Sequence, residues 1–364
     1  MEPVTHLLTG ACLSRLGFNR KTALATAAMV IAAEIPDIDV VVYFVDPVSG
    51  FAHHRGFTHS LIGIPFDALL TLGILKLYWS WRRRRKPLPA GRSLEAWEQP
   101  RWGLLFLFCC LATASHLLLD FTNNYGLRPF TPFYGKWYSW DIVFIVEPLM
   151  LGALLIGLVA PAFARLIGEE IASRSARRLP GGRGGAIFAL IFILALWGVR
   201  DYQHRRAVAG LSSLMYQNQE PIRVSAYPYW INPFQWFGVV ETKDFFALVP
   251  VDSAAGEIDP QGRMRIRYKP PETPVTLAAK GSYLGQVYLD WAQYPITETE
   301  ALQPPQQGYI VVFQDLRYAG VPRSLTRRRG GLSKAVQLDQ NLHVVGDVYE
   351  TEKGQIVIPE PGQR

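Results

Sequence analysis

Eight side chains able to ligate a metal ion recur at the ends of apolar segments: His6, Asp37, Asp39, His54, His59, His116, Asp120 and Asp141. Imidazole nitrogen with carboxylate oxygen suits zinc, and also iron or manganese. His116 and Asp120 are four apart and share a helix face. Asp37 and Asp39 flank one residue after Pro36, in a turn short enough for both carboxylates to approach one centre. Three of the seven histidines fall in "FAHHRGFTHS" (51–60). There His54 and His59 stand either side of Gly56, which permits a tight bend, and Thr58 is placed to cap the helix that His59 begins. Eight donors exceed the three or four that one zinc needs, so two ions, or three, are expected. Paired metals clamp the attacking and leaving oxygens of a displacement and ionise a bridging water. Arg55 is either an interface residue or a clamp for a phosphate or oxyanion, and its rarity as a cation near these donors favours the clamp.

Taken singly, a histidine near a membrane boundary is ordinarily an interfacial polar residue; the ordered set is what points to metal. His53 has no partner in the pattern and reads as exposed loop, and His204 and His343 lie outside it. Glu34 and Asp67 sit within apolar segments, where a charge is costly and functional by default. Asp67 lies two turns from His59 and either orients His59 or Thr58 or packs as a neutral acid.

The supports for these donors are apolar. Hydrophobic residues make up 49% of the 364 and charged residues 18%. A bilayer crossing takes about 20 apolar residues. "WGLLFLFCCLATASHLLLDF" (102–121), "DIVFIVEPLMLGALLIGLVAPAFARLI" (141–167) and "FTHSLIGIPFDALLTLGILKLYWSW" (57–81) reach that length, and "GGAIFALIFILALWGV" (184–199) falls slightly short. "TALATAAMVIAAEIPDIDVVVYFV" (22–45), broken by Glu34, Pro36, Asp37 and Asp39, spans or re-enters. "THLLTGACLSRLGF" is too short to cross. The expected fold is an α-helical multi-pass membrane domain over 1–200, with about five apolar helices plus a short N-terminal helix.

Composition changes near residue 200. "RMRIRYKP" (263–270), "YIVVFQDLRY" (309–318) and "LHVVGDVYE" (342–350) read as strands between Pro- and Gly-rich turns. They predict a soluble β-rich domain over 205–350 and a disordered tail over 351–364. The start carries no secretory signal pattern, so the first segment is expected to be retained. Cys12, Cys109 and Cys110 all lie in apolar segments, which leaves the β-rich domain no disulfide framework.

The net charge of +7 does not call for nucleic acid. Loops 15–21, 76–101 and 165–183 hold sixteen Lys and Arg, whereas 37–58 and 120–141 hold three. Positive loops stay cytoplasmic. The donors and the C-terminal domain are therefore expected on the outer side of a bacterial-type inner membrane.

"THLLTG", "PDIDV", "HRGFTHS" and "SHLLLDFTNNYG", followed by Trp140–Asp141, resemble the YdjM-like family of predicted membrane-bound metal-dependent hydrolases over roughly residues 1–200. "YPYWINPFQWFGVVET" (227–242) is similar to a downstream element of that family. The family is distantly similar to zinc-dependent phospholipase C and related single-strand-specific nucleases. Those enzymes gather His and Asp around several zincs, with a His-x-x-x-Asp pair like His116 and Asp120. The resemblance implies hydrolysis of a phosphoester, a phospholipid among the candidates.

The expected function is a membrane-bound metal-dependent hydrolase with a di- or trinuclear centre at the outer interface, acting on a membrane lipid or lipid-linked substrate. Metal-activated water is the nucleophile, and no Gly-x-Ser-x-Gly elbow is present. The alternative is an ion or metal transporter, with Glu34 and Asp67 lining a path. It is disfavoured because the eight donors share one face and only those two acids lie deeper.

Overall fold

The computed structural model describes residues 1–85, 99–171, 182–303, 307–320, 332–351 and 354–359. Two compact units emerge: Met1–Val41, His53–Gln203 and Trp230–Pro233 form one, and Val42–Ala52, His204–Tyr229 and Phe234–Arg364 the other.

The first unit is helical. Its elements are α1 (Pro3–Arg15), α2 (Ala25–Ala32), the His53 end of α3 (Pro47–His53), α4 (Gly63–Arg85), α5 (Trp102–Thr122), α6 (Pro148–Ile171) and most of α7 (Arg183–Ser212). Small residues set the spacing. A Cβ on Gly10 of α1 would meet the Met29 carbonyl of α2 at 2.5 Å, and one on Gly157 of α6 would meet the Gly185 carbonyl of α7 at 2.5 Å. Such close backbone approach is how helices associate where lipid removes the hydrophobic drive. Ala28, Met29 and Ala32 bury against Leu72 and Leu75 of α4 and Leu105, Phe108 and Ala112 of α5. Leu107, Ile191 and Leu194 stay exposed, as a lipid-facing surface requires.

The expected count of about five apolar helices is not met. Among the described residues two helices, α5 and α7, are long and apolar enough to cross, and a third crossing results if Pro47–His59 and Gly63–Arg85, bent by 89°, count as one. Each shortfall has a local cause. Residues 22–45 divide into the eight-residue α2 and a 3-10 helix, Ile35–Phe44, that begins where Pro36 interrupts the helical ladder. Segment 57–81 is broken at Ser60–Ile62, where the chain turns so sharply that a Cβ on Gly63 would meet the Phe57 carbonyl at 2.2 Å. Segment 141–167 becomes helical only at Pro148, where α6 begins.

The second unit carries two five-stranded antiparallel sheets. One orders β1 (Arg223–Pro228), β2 (Gln235–Glu241), β3 (Phe245–Asp252) and β4 (Glu257–Ile258), with β5 (Arg265–Tyr268) also on β3. The other runs β10 (Gly354–Ile358), β9 (Val344–Thr351), β8 (Lys334–Leu338), β7 (Tyr309–Asp315), β6 (Pro295–Ala301). Two helices, α8 (Pro274–Gly281) and α9 (Tyr283–Trp291), lie between β5 and β6 in sequence. Tyr227, Phe237, Phe246 and Leu248 of the first sheet share a core with Tyr294, Ile296 and Leu316. Where a disordered tail was expected from 351, β10 pairs with β9; residues 352, 353 and 360–364 lie outside the described residues.

Candidate metal centre

Four of the eight expected donors meet. Asp37 comes from the 3-10 helix Ile35–Phe44, His59 from the bend before α4, and His116 and Asp120 from one face of α5. One ligand atom of each residue lies within 4.8 Å of those of the other three. His59 Nε2 is 3.1 Å from His116 Nε2, 3.2 Å from Asp37 Oδ1 and 3.4 Å from Asp120 Oδ2. His116 Nε2 is 3.6 Å from Asp37 Oδ1 and 3.4 Å from Asp120 Oδ2. The side chains of His59, His116 and Asp120 are fully buried, and that of Asp37 is 21% exposed.

This arrangement fits a metal ion. Donors around a tetrahedral ion with bonds of ~2.1 Å stand about 3.4 Å apart, the middle of the observed range. The ring orientations agree. His116 Nδ1–H donates to the Ala33 carbonyl at 2.7 Å, so its Nε2 carries a lone pair. His59 Nδ1 faces Thr58 Oγ1 at 3.1 Å and Asp39 Oδ2 at 3.3 Å, which holds the ring with Nε2 inward. Burial opposes its charge, but the carboxylates of Asp120, Asp37 and Asp39 push His59 up to about 10. Across the 3.1 Å between the two Nε2 atoms, His59 N–H donates to the His116 lone pair, and a metal ion there would take the place of that proton. Asp120 Oδ2, buried and accepting no hydrogen bond, faces the same space.

A model of the YdjM inner membrane protein family matches residues 1–207, more than half of the chain. The chain belongs to the YdjM inner membrane protein family. It is similar to a Bacillus subtilis (strain 168) protein described as uncharacterized protein YfhP, 24% identical over 329 residues that cover 87% of each chain. No solved structure matches.

The YdjM match spans every residue of the cluster, yet His6, Asp39, His54 and Asp141 stand outside the four-donor group. His6 stacks on His116 with ring centroids 3.7 Å apart, and neither of its buried ring nitrogens makes a hydrogen bond. Burial, with His116 beside it, takes His6 down to about 3, a neutral imidazole. Asp39 supports from behind: its Oδ2 accepts from the Arg55 backbone N–H at 2.8 Å, and its Oδ1 holds His54 Nδ1 at 3.0 Å. Burial favours protonating Asp37 and Asp39, but hydrogen bonds from His59, and for Asp39 also His54, outweigh it and hold both below the usual carboxylate range. Asp141 sits where Trp140 and Ile142 bond back to the last turn of α5, through Phe121 O at 2.7 Å and Thr122 O at 3.0 Å.

Arg55 corrects the expectation of a substrate clamp. It is 4% exposed and points inward. Its Nη2 lies 2.9 Å from Asp120 Oδ1, and its Nη1 donates to Asn123 Oδ1 at 3.2 Å and to the Gly126 carbonyl at 3.0 Å, over the Tyr125 ring. Arg55 itself, with φ of +53°, makes the left-handed turn expected of Gly56. Gly56 is needed for space, since a Cβ there would meet the His53 carbonyl at 2.8 Å. Thr58 caps no helix; its hydroxyl reaches Asp39 and His59. Asp67 is buried and, among the described residues, hydrogen-bonds neither His59 nor Thr58, which leaves the packed acid. Burial and Asp37 push Glu34 up to about 7. His53 is exposed, as expected.

Two contributors carried no clear signal. The Ala33 carbonyl is backbone and invisible to residue-type reasoning. Asn123 orders both Arg55 and Asp120, its Nδ2 donating to Asp120 Oδ1 at 3.3 Å. The i, i+3 step from Asp120 would have found it.

Proposed function

We propose that this protein is a membrane-bound metal-dependent hydrolase of a phosphoester or related ester, with one divalent ion, zinc first among candidates, held by Asp37, His59, His116 and Asp120. The observation that carries the reading is the convergence of His59 Nε2 and His116 Nε2 at 3.1 Å, closed by two carboxylates. An ion bound there supplies Lewis acidity toward water and toward a phosphoryl or carbonyl oxygen. Asp39 and the Ala33 carbonyl hold the two imidazoles with Nε2 inward. Arg55 acts through Asp120, fixing which oxygen faces the ion. Asp37, the one donor that is partly exposed, opens the centre to solvent and substrate.

The centre is proposed to face outward. The loop charge asymmetry supports this. The test is hydrolysis of generic phosphodiesters by detergent-purified protein loaded with zinc or manganese. Turnover lost in His59→Ala and His116→Ala, and kept in His53→Ala, supports the reading; equal turnover in all three overturns it.

A further inference from the structure

Of the four donors, three are sealed, and only Asp37 reaches the surface. Substrate must therefore approach along the element that carries Asp37. That element is a ten-residue 3-10 helix, Ile35–Phe44, unusually long for its type. With three residues per turn, positions i and i+3 eclipse, so the helix has three distinct edges. Pro36 and Asp39 share the inward edge: Pro36 is buried and the Asp39 side chain is 7% exposed. Asp37 and Val40 share a second edge, and Ile38 and Val41 the third. On these two outer edges Val40 is 47% exposed, Ile38 45% and Val41 55%.

Val40 thus lies one turn directly beyond Asp37, with the exposed Ile38 and Val41 on the neighbouring edge. Burying an aliphatic side chain against an apolar chain gains about 1.5–3 kcal/mol over leaving it in water. A site for a small polar ester gains nothing from such a rim. A site whose ligand brings its own apolar chain recovers that burial on binding. The surroundings favour the second case, since the same unit carries the apolar helix α5 and its lipid-facing side chains.

We propose that Ile38, Val40 and Val41 form the docking track for the apolar tail of the substrate, and that this track selects a long-chain amphiphile over its water-soluble counterpart. The proposal rests on the hydrolase reading for its head-group chemistry, while the track itself is testable by binding alone.

The experiment compares wild type with Val40→Thr/Val41→Thr, exposed changes that keep side-chain shape. Both proteins, zinc-loaded, are titrated with hexadecyl and methyl methylphosphonate, which resist hydrolysis, and then assayed with hexadecyl and methyl nitrophenyl phosphate diesters. Metal content and Tm serve as controls for folding. The expected result is an affinity for the hexadecyl phosphonate weakened at least ~10-fold in the variant, methyl phosphonate unchanged, and a matching rise in KM for the hexadecyl diester at constant kcat. Equal hexadecyl binding by both proteins overturns the track, as does parallel weakening for both ligands. Chain-selective binding without hydrolysis of either diester leaves the track standing and counts against the hydrolase reading.

Discussion

His59 Nε2 and His116 Nε2 stand 3.1 Å apart, with the far nitrogen of each ring held from behind, by Asp39 and Thr58 on one side and the Ala33 carbonyl on the other. Neither imidazole can turn away without breaking that support. The two inward nitrogens are therefore fixed before any ion arrives, which is the arrangement that preorganised metal ligands share.

Asp39→Ala removes the support behind His59 without removing a donor. Loss of an outer partner of this kind typically lowers metal affinity 10–100-fold. Competition with a zinc-binding dye should show that range for Asp39→Ala, whereas His116→Ala should abolish binding. Unchanged affinity in Asp39→Ala would mean that His59 needs no orientation.

Arg55→Ala leaves the Asp120 carboxylate buried without its guanidinium. Breaking a buried pair by removing one partner costs about 3–5 kcal/mol. The expected outcome is a large drop in Tm together with weakened metal binding, because Asp120 loses its fixed orientation. Arg55→Lys should recover only part, since an ammonium cannot reach Asp120, Asn123 and Gly126 at once. An Arg55→Ala protein that keeps metal and Tm but loses turnover would restore the substrate clamp in place of this account.

Acid should destabilise the metal-free protein through Asp37 and Asp39. Their folded pKa values lie below the unfolded value of about 3.9, so their contribution is complete above that pH and is lost as pH falls toward the folded values. Tm followed downward from about pH 5 should fall, and the fall should be shallower in Asp39→Asn. A Tm that rises on acidification reverses the assigned sign.

Orientation can be read with single cysteines. Val45→Cys and Ala255→Cys, both at exposed positions of the same compact unit, should react with an impermeant reagent in intact cells. Labelling only after permeabilisation would place both in the cytoplasm.

Much of this was legible in the residue order. His116 and Asp120 were readable as a pair because a helix repeats every 3.6 residues, and Asp37 because Pro36 forces a turn before it. Helix count was over-read, since hydropathy does not register a bend: 57–81 is apolar throughout, yet Gly63 permits the turn at Ser60–Ile62. The split between ligand and support was also hidden. Asp37 and Asp39 are the same residue type two apart, and only the 3-10 helix decides that Asp39 lies behind His59. Arg55 looked like a clamp because it is one of few cations near these donors; its own left-handed backbone turns it toward Asp120.

Elemental mass spectrometry of detergent-purified protein, wild type beside His59→Ala/His116→Ala, tests the centre most directly. The account predicts one divalent ion per wild-type chain and none above background in the double variant. Equal metal in both proteins, or none in a wild type offered zinc, manganese and iron, contradicts it.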